Sequence, residues 1–323
     1  WNRTRRASPR GSYSPLPHLA ACRPLRAVIT WLAWGRQHQI GMISGASERN
    51  MVSASKQGLT MKKPKWVVEK ERGKKLEAAE TVWLFGLHAV RDALANPKRV
   101  KLRLVVTLNA QAKLADVIAA SGVTPELSDP RKFAAPLDPN SVHQGAALEV
   151  KPLDWGSVAD ACVSGGDERP ARVLLLDRVS DPHNVGAILR SAEVFGARAV
   201  IGTKRHAAPE TGALAKTASG ALERQPYLRV TNLARVMEEL KGYGYFVIGL
   251  DGEADTTLEA EIASFEDRPV ALVLGAEGPG LREKTKEQCD VLARIDFMGD
   301  FGSLNVSNAA AVSLYAATRQ KTA

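Results

Sequence analysis

No run of apolar residues in this sequence approaches the roughly 18 that a membrane-spanning helix needs, and residues 27–34 are too short for one. A membrane partner is therefore not expected. There are only three cysteines, Cys22, Cys162 and Cys289, far apart and without CxxC or Cys/His spacing. That excludes a disulfide framework and a cysteine-ligated zinc site, and makes a reducing, cytoplasmic compartment the expectation. No GxGxxG follows the first strand pattern with an acid about 20 residues on, and GxxxxGK followed by Ser or Thr is absent. Neither dinucleotide nor P-loop nucleotide binding fits. Residues 1–47 lack Lys, Asp and Glu altogether while holding seven Arg.

With 323 residues and roughly 100–200 per domain, two domains are the default. The composition, 45% hydrophobic and 24% charged, is that of an ordinary globular chain. The net charge of +9 points to nucleic acid only if it lies on the folded body. It does not: residues 1–47 carry +7, residues 48–80 carry +4, and residues 81–323 carry −2. An RNA-binding reading must therefore rest on motifs or a local patch. The Arg-, Ser- and Pro-rich opening is upstream translated sequence, a transit segment or a basic arm. Met42, Met51 and Met61 are alternative starts, and the first reading is preferred. Residues 1–80 are expected to form a disordered basic leader, partly not native, with disorder to about residue 75.

Order is expected from Val82. Residues 82–86 read as a buried strand and 88–94 as a helix stopped by Asn96-Pro97. Residues 102–108 read as strand, 112–120 as helix and 146–150 as strand, giving a small α/β unit over 81–152. His88 and His143 could touch a phosphate or a base, or serve only as structural residues at element ends. Residues 153–170, containing Gly165-Gly166-Asp167-Glu168, read as a linker with one short helix.

From Arg172 onward, apolar strands alternate with helical patterns, the mark of βα units on a mostly parallel sheet. Strands are expected at 173–176, 199–201, 228–230, 246–250, 270–274 and 293–295, and helices at 185–195, 214–222 and 233–240. Ligands in such sheets lie outside the carboxyl ends of strands, where three signals fall. The first runs from Asp177 through Asp181-Pro182-His183-Asn184 to Arg190, expected to be buried within an apolar helix and to need an anionic or carbonyl partner; Asp177 or Glu193 would serve as an internal one. The second is Leu274-Gly275-Ala276-Glu277-Gly278-Pro279-Gly280, a strand ending in a turn that lets backbone approach a ligand. The third is residues 302–317, where Ser303 and Asn305 can cap a helix whose alanines require close packing.

Jointly, Asp-Pro-His-Asn-Val-Gly-Ala-Ile-Leu-Arg-Ser-Ala, Leu-Gly-Ala-Glu-Gly and Ser-Leu-Asn-Val-Ser, in this order across residues 172–320, resemble the SpoU/TrmH family of RNA ribose 2′-O-methyltransferases, of the SPOUT class. Phe85-Gly86-Leu87-His88-Ala89-Val90 and Val142-His143-Gln144-Gly145 resemble its small substrate-binding domain, similar to ribosomal protein L30e. The resemblance is strongest to the branch that methylates a guanosine of large-subunit (23S) rRNA. It implies an α/β fold over 171–323, a mostly parallel sheet with a C-terminal trefoil knot, preceded by the L30e-like domain. It implies S-adenosylmethionine as methyl donor, no metal, a homodimer, and rRNA or an assembly intermediate as partner. By position, the family's functional residues fall on Asn184, Arg190, Glu277, Ser303 and Asn305, and its adenosine contacts on backbone at Gly275, Ile295 and Leu304, with Met298 nearby. Two departures stand out: Asp296-Phe297 where relatives carry a proline after the isoleucine, and Asn308 where a small apolar residue is common, which adds a polar group needing a partner.

Two other readings remain open at this level: a tRNA ribose methyltransferase, and a non-catalytic RNA-binding or ribosome-assembly protein on the same scaffold.

Overall fold

The computed structural model describes residues 81–138, 141–163, 170–264, 268–298 and 303–318. The expected leader, Gly165-Gly166-Asp167-Glu168 and Gly302 lie outside them. Two sheets organise the chain. The smaller has four strands in the order β1 (Val82–Phe85), β4 (Ala146–Val150), β2 (Lys101–Val106), β3 (Pro125–Leu127). β4 runs antiparallel to both neighbours and β2 parallel to β3. Helices α1 (Leu87–Ala95), α2 (Leu108–Lys113) and α3 (Ala115–Ser121) accompany it. The single helix expected at 112–120 is two, because Leu114 ends one and starts the next outside helical geometry.

The larger sheet has seven strands, all parallel, in the order β7 (Tyr227–Val230), β6 (Ala199–Thr203), β5 (Arg172–Asp177), β10 (Val270–Gly275), β8 (Phe246–Leu250), β11 (Val291–Arg294), β9 (Thr256–Thr257). Val173–Leu176 of β5 and Ala271–Val273 of β10 are fully buried, as central parallel strands covered on both faces must be. Helix α4 (Val158–Cys162) follows the smaller unit, with Ser157 and Asp160 forming a capping box. The larger sheet is flanked by α5 (Pro182–Val194), α6 (Gly212–Ala218) with a 3-10 turn (Ala221–Glu223), α7 (Leu233–Gly242), α8 (Leu258–Ser264), α9 (Glu283–Lys286) and α10 (Val306–Thr318). The helix expected through Leu222 stops at Ala218, because Ser219 (φ 50°) and Gly220 (φ 88°) enter the left-handed region.

The two units meet at the N-terminus of α6, where a Cβ on Gly212 would stand 2.2 Å from the Phe85 ring and 2.6 Å from the Trp83 carbonyl. Beside it a buried ionic clamp joins them. Arg99 donates to Glu223 (Nη2–Oε1 2.7 Å, Nε–Oε2 3.0 Å), to Glu210 (Nη1–Oε2 3.0 Å) and to the Lys151 carbonyl (2.9 Å). Asn96 adds bonds to the Glu223 carbonyl and carboxylate, and Glu210 receives the Leu153 N–H.

α10 packs against α5, α8, β5 and β10. Its small residues let it sit close: Ala310, Ser313 and Leu314 are fully buried and Ala317 nearly so. Its last turn is tied to the start of β5, where Arg172 Nε donates to the Ala317 carbonyl at 2.8 Å.

Candidate active site

Three chain segments converge at the carboxyl ends of β5, β10 and β11. Asp181 caps α5 by accepting from the His183 N–H, and Pro182 occupies its first turn, where a missing N–H costs nothing. That fixes Asn184 one turn into the helix. β10 ends at Gly275 and folds back sharply, with Gly280 N donating to the Ala276 carbonyl at 2.9 Å. A Cβ on Gly275 would stand 2.2 Å from the Gly280 carbonyl carbon, so the return needs glycine there, and it places Glu277 at the tip. Asn305 precedes α10 and accepts from the Ser307 N–H at 2.9 Å.

Asn184, Glu277 and Asn305 thus meet from positions 28 to 121 residues apart. Glu277 Oε1 accepts from Asn184 Nδ2 (3.1 Å), Asn305 Nδ2 (2.5 Å) and the Val306 N–H (3.4 Å), while Asn305 Nδ2 also donates to Asn184 Oδ1 (3.0 Å). One carboxylate oxygen therefore locks three segments together, and the other has no donor among the described residues.

A cleft of about 420 Å3 opens beside this knot of side chains. Gly275, Ile295 and Leu304 line it, as do Leu250, Phe297, Val306, Ser303 and Asp251. Phe297 and Leu304 are roughly half exposed, at 46% and 49%, leaving apolar walls that a planar ligand would cover. Met298 is fully exposed and is not among the lining residues. The β8 loop, Leu250-Asp251-Gly252, was missed from the sequence although it ends a parallel strand, the position where ligands gather. Asp251 there is held by Lys286 at 2.6 Å, which keeps its carboxyl below the usual range.

Arg190 corrects the sequence reading, which placed it inside an apolar helix. It is exposed. His183, Ala187, Arg190 and Val194 recur at helical spacing along the outer stripe of α5, whereas Ile188, Leu189 and Ala192 face the core. Neither internal partner serves it: Asp177 is bound by Arg282 and Thr285, and Glu193 by Arg224. Burial alone would raise the Asp177 carboxyl; the Arg282 and Thr285 bonds more than offset that and hold it below the usual range. Arg190 makes no hydrogen bond or ion pair among the described residues, and nor does the exposed Ser303 side chain. Asn308 is exposed, so the partner expected for it is solvent.

His88 is exposed, while His143 stacks on Phe133 (centroids 4.1 Å apart) and accepts from the Gly145 N–H, a structural role. Among the described residues no cluster of His, Cys, Asp and Glu could hold a metal ion.

Residues 171–315 match the model of the SpoU rRNA Methylase family, and residues 83–155 match that of RNA 2′-O ribose methyltransferase substrate binding. The chain is 38% identical over 245 residues to the 23S rRNA (guanosine-2′-O-)-methyltransferase RlmB of Pseudomonas syringae pv. tomato, covering 74% of this chain and 96% of that protein. It is 41% identical over 248 residues to the protein of the same name from Coxiella burnetii, with the same coverage. Among solved structures, it is similar to the SpoU methyltransferase AviRb from Streptomyces viridochromogenes in complex with AdoMet (TM-score 0.63, 25% identity, 77% of this chain and 93% of that one). An AdoMet-bound rRNA methyltransferase from Sinorhizobium meliloti shares the fold (TM-score 0.62, 22% identity, 77% and 89%).

Proposed function

This chain belongs to the SpoU rRNA methylase family, and on that premise we propose that it methylates the ribose 2′-hydroxyl of a guanosine in 23S rRNA, with S-adenosylmethionine as donor. The observation that carries the reading is the Asn184–Glu277–Asn305 junction beside an apolar cleft at the strand ends. The cleft suits the adenosine moiety: its size is that of a small-ligand site, Leu250, Phe297, Leu304 and Val306 would cover the base, and backbone at Gly275, Ile295 and Leu304 would supply polar contacts. Bound there, S-adenosylmethionine supplies an electrophilic methyl group.

The chain's own residues have two tasks. Asn184, Glu277 and Asn305, bonded to one another, hold the loops and present the remaining Glu277 oxygen, with Ser303, to the nucleotide. Arg190 is left unpaired among the described residues on the α5 surface, available to a substrate anion. As the 2′-hydroxyl gives up its proton, negative charge builds on its oxygen; that charge would be consumed as the new O–C bond forms to the methyl carbon, the C–S bond breaking and S-adenosylhomocysteine leaving. A guanidinium gives up its proton too reluctantly to serve as a base; Arg190 instead stabilises that oxygen or the adjacent phosphate, and the proton passes to phosphate or water.

Val194, Val312 and Tyr315, at 72%, 38% and 52% exposure, leave an apolar area on α5 and α10, which supports a homodimer with Arg190 at its margin. The return of α10 onto β5 and β10, after β11 has joined the far flank of β8, supports a C-terminal trefoil knot. The division into an L30e-like domain over 81–152, a linker over 153–170 and a catalytic domain from 171 is supported by the two sheets. Large-subunit rRNA or an assembly intermediate is the partner.

Labelled S-adenosylmethionine, offered with unmodified large-subunit rRNA and separately with bulk tRNA, tests the reading. A 2′-O-methyl group on one rRNA guanosine is expected; label on tRNA alone would overturn the substrate assignment, and none on either would overturn the activity on free RNA.

A further inference from the structure

A second and larger cleft, of about 1170 Å3, lies along the free edge of the seven-stranded sheet, between β7 and the segment Pro152–Val158 that joins the two units. Three cations line it, Lys204, Arg229 and Arg235, and none is in an ion pair among the described residues. Three acids line it as well: Glu210 is ion-paired with Arg99, while Asp154 and Glu239 keep their charge and accept only from the Gly156 N–H and the Tyr243 hydroxyl. Two buried N–H donors on its lining residues, Trp155 Nε1 and Arg229 Nε, have no acceptor among the described residues. Buried donors without partners are rare in native structures, and these two sit in one cleft with three cations outside any ion pair among the described residues, Arg229 Nη2 donating to the Lys204 carbonyl at 2.6 Å. The two donors have no acceptor and the three cations no carboxylate partner among the described residues, and a phosphodiester strand would bring both.

We propose that this cleft binds a single-stranded stretch of the substrate RNA outside the target nucleotide, with phosphates on Lys204, Arg229 and Arg235 and an acceptor-bearing nucleotide on the Trp155 indole. Cations tracking a backbone beside an aromatic ring are the usual chemistry of single-strand binding. The position suits it. β7 stands two strands from β5, roughly 10 Å at about 4.8 Å per strand, so Lys204, just beyond β6, lies within a few nucleotides of the α5 N-terminus. The cleft also spans the junction of the two units, so an RNA held by both crosses it. The inference rests on the RNA-methyltransferase reading for the identity of the strand.

The test compares the intact protein with Lys204→Ala/Arg235→Ala, both exposed positions, and with Trp155→Phe, which keeps a ring and removes the N–H. For the double variant, KM for unmodified large-subunit rRNA is expected to rise about tenfold, with kcat and S-adenosylmethionine affinity within about twofold, and the log–log salt slope of rRNA binding to fall by about 1.4 for two lost single-strand phosphate contacts. Trp155→Phe should weaken rRNA binding without altering that slope, and ultraviolet cross-linking of rRNA should label the Trp155 peptide of the wild type. Unchanged rRNA affinity and salt slope in the double variant would overturn the proposal and leave the β7 edge to a peptide strand. Should the wild type methylate no RNA, the functional reading fails, yet rRNA binding by the same variants still decides the cleft either way.

Discussion

Arg190 is exposed on α5 and, its two neighbouring acids being occupied, makes no hydrogen bond or ion pair among the described residues; on the proposed reading it is left for the substrate. Arg190→Lys keeps the charge and loses the planar fork, so kcat should fall by about a hundredfold, the loss seen when one transition-state donor is removed. The melting temperature and S-adenosylmethionine affinity should hold; near-normal turnover would sink a guanidinium-specific role. Cys162 and Cys289 are the opposite case. Burial pushes both thiols up to about 12, so they are almost wholly protonated at neutral pH and poor nucleophiles. Alkylation of the native protein at pH 7.5 should leave both unlabelled, with labelling after denaturation, read by peptide mass. Reaction in the native state would show that the burial opens readily.

At the scale of elements, the strand ends decide. Gly275→Ala would drive a Cβ into the Gly280 carbonyl carbon and the Leu281 nitrogen, at 2.2 and 2.4 Å. Both are backbone and closed by the Ala276–Gly280 bond, so the loop must move. The variant should lose about 1–3 kcal/mol, the usual cost of overpacking, in chemical denaturation, and titration calorimetry should show weakened S-adenosylmethionine binding; a stable variant with intact binding would show that the loop can yield. Much of this level was legible in the sequence. Runs such as Val173–Leu176 are buried on both faces in any parallel sheet, and Asn184, Glu277 and Asn305 lie at strand ends or helix starts. The failures have physical causes. Arg190 was read from its apolar neighbours in sequence, whereas the period of 3.6 turns it outward. β3, β9 and α9 are too short, at two to four residues, to show a period. The Arg99 clamp was invisible because its partners lie 111 and 124 residues away, a distance no local pattern spans.

On the scale of the molecule, that clamp sets how the two units face each other. The Arg99 side chain is fully buried between two nearly buried carboxylates. Arg99→Met would leave both uncompensated and should cost about 3–5 kcal/mol in urea denaturation; a loss below about 1 kcal/mol would mean that water reaches the clamp. The surplus acid has its own signature. Burial raises the Glu210 carboxyl, and Arg99 only partly draws it back. The folded state therefore holds that proton more tightly than the unfolded chain. Its contribution is fully present below the ordinary carboxyl pKa and is lost as pH rises through the raised value. Glu210→Gln should remove that decline, so variant and wild type diverge in favour of the variant as pH rises above the ordinary carboxyl range. Parallel stability curves would refute the assignment.

The bond from Arg172 to the Ala317 carbonyl has a consequence in time. Arg172 opens the first strand of the larger sheet and Ala317 sits in the last turn of the last helix, so the core of this sheet is bounded by residues 145 positions apart. On a translating ribosome the smaller unit can fold while synthesis continues, but the buried Arg172 guanidinium must wait for the Arg268 carbonyl and then for that of Ala317 before it has all its acceptors. A message broken a few codons before Ala317 yields a polypeptide with every described strand but without the turn that accepts from Arg172 Nε, which quality control would meet as unfinished.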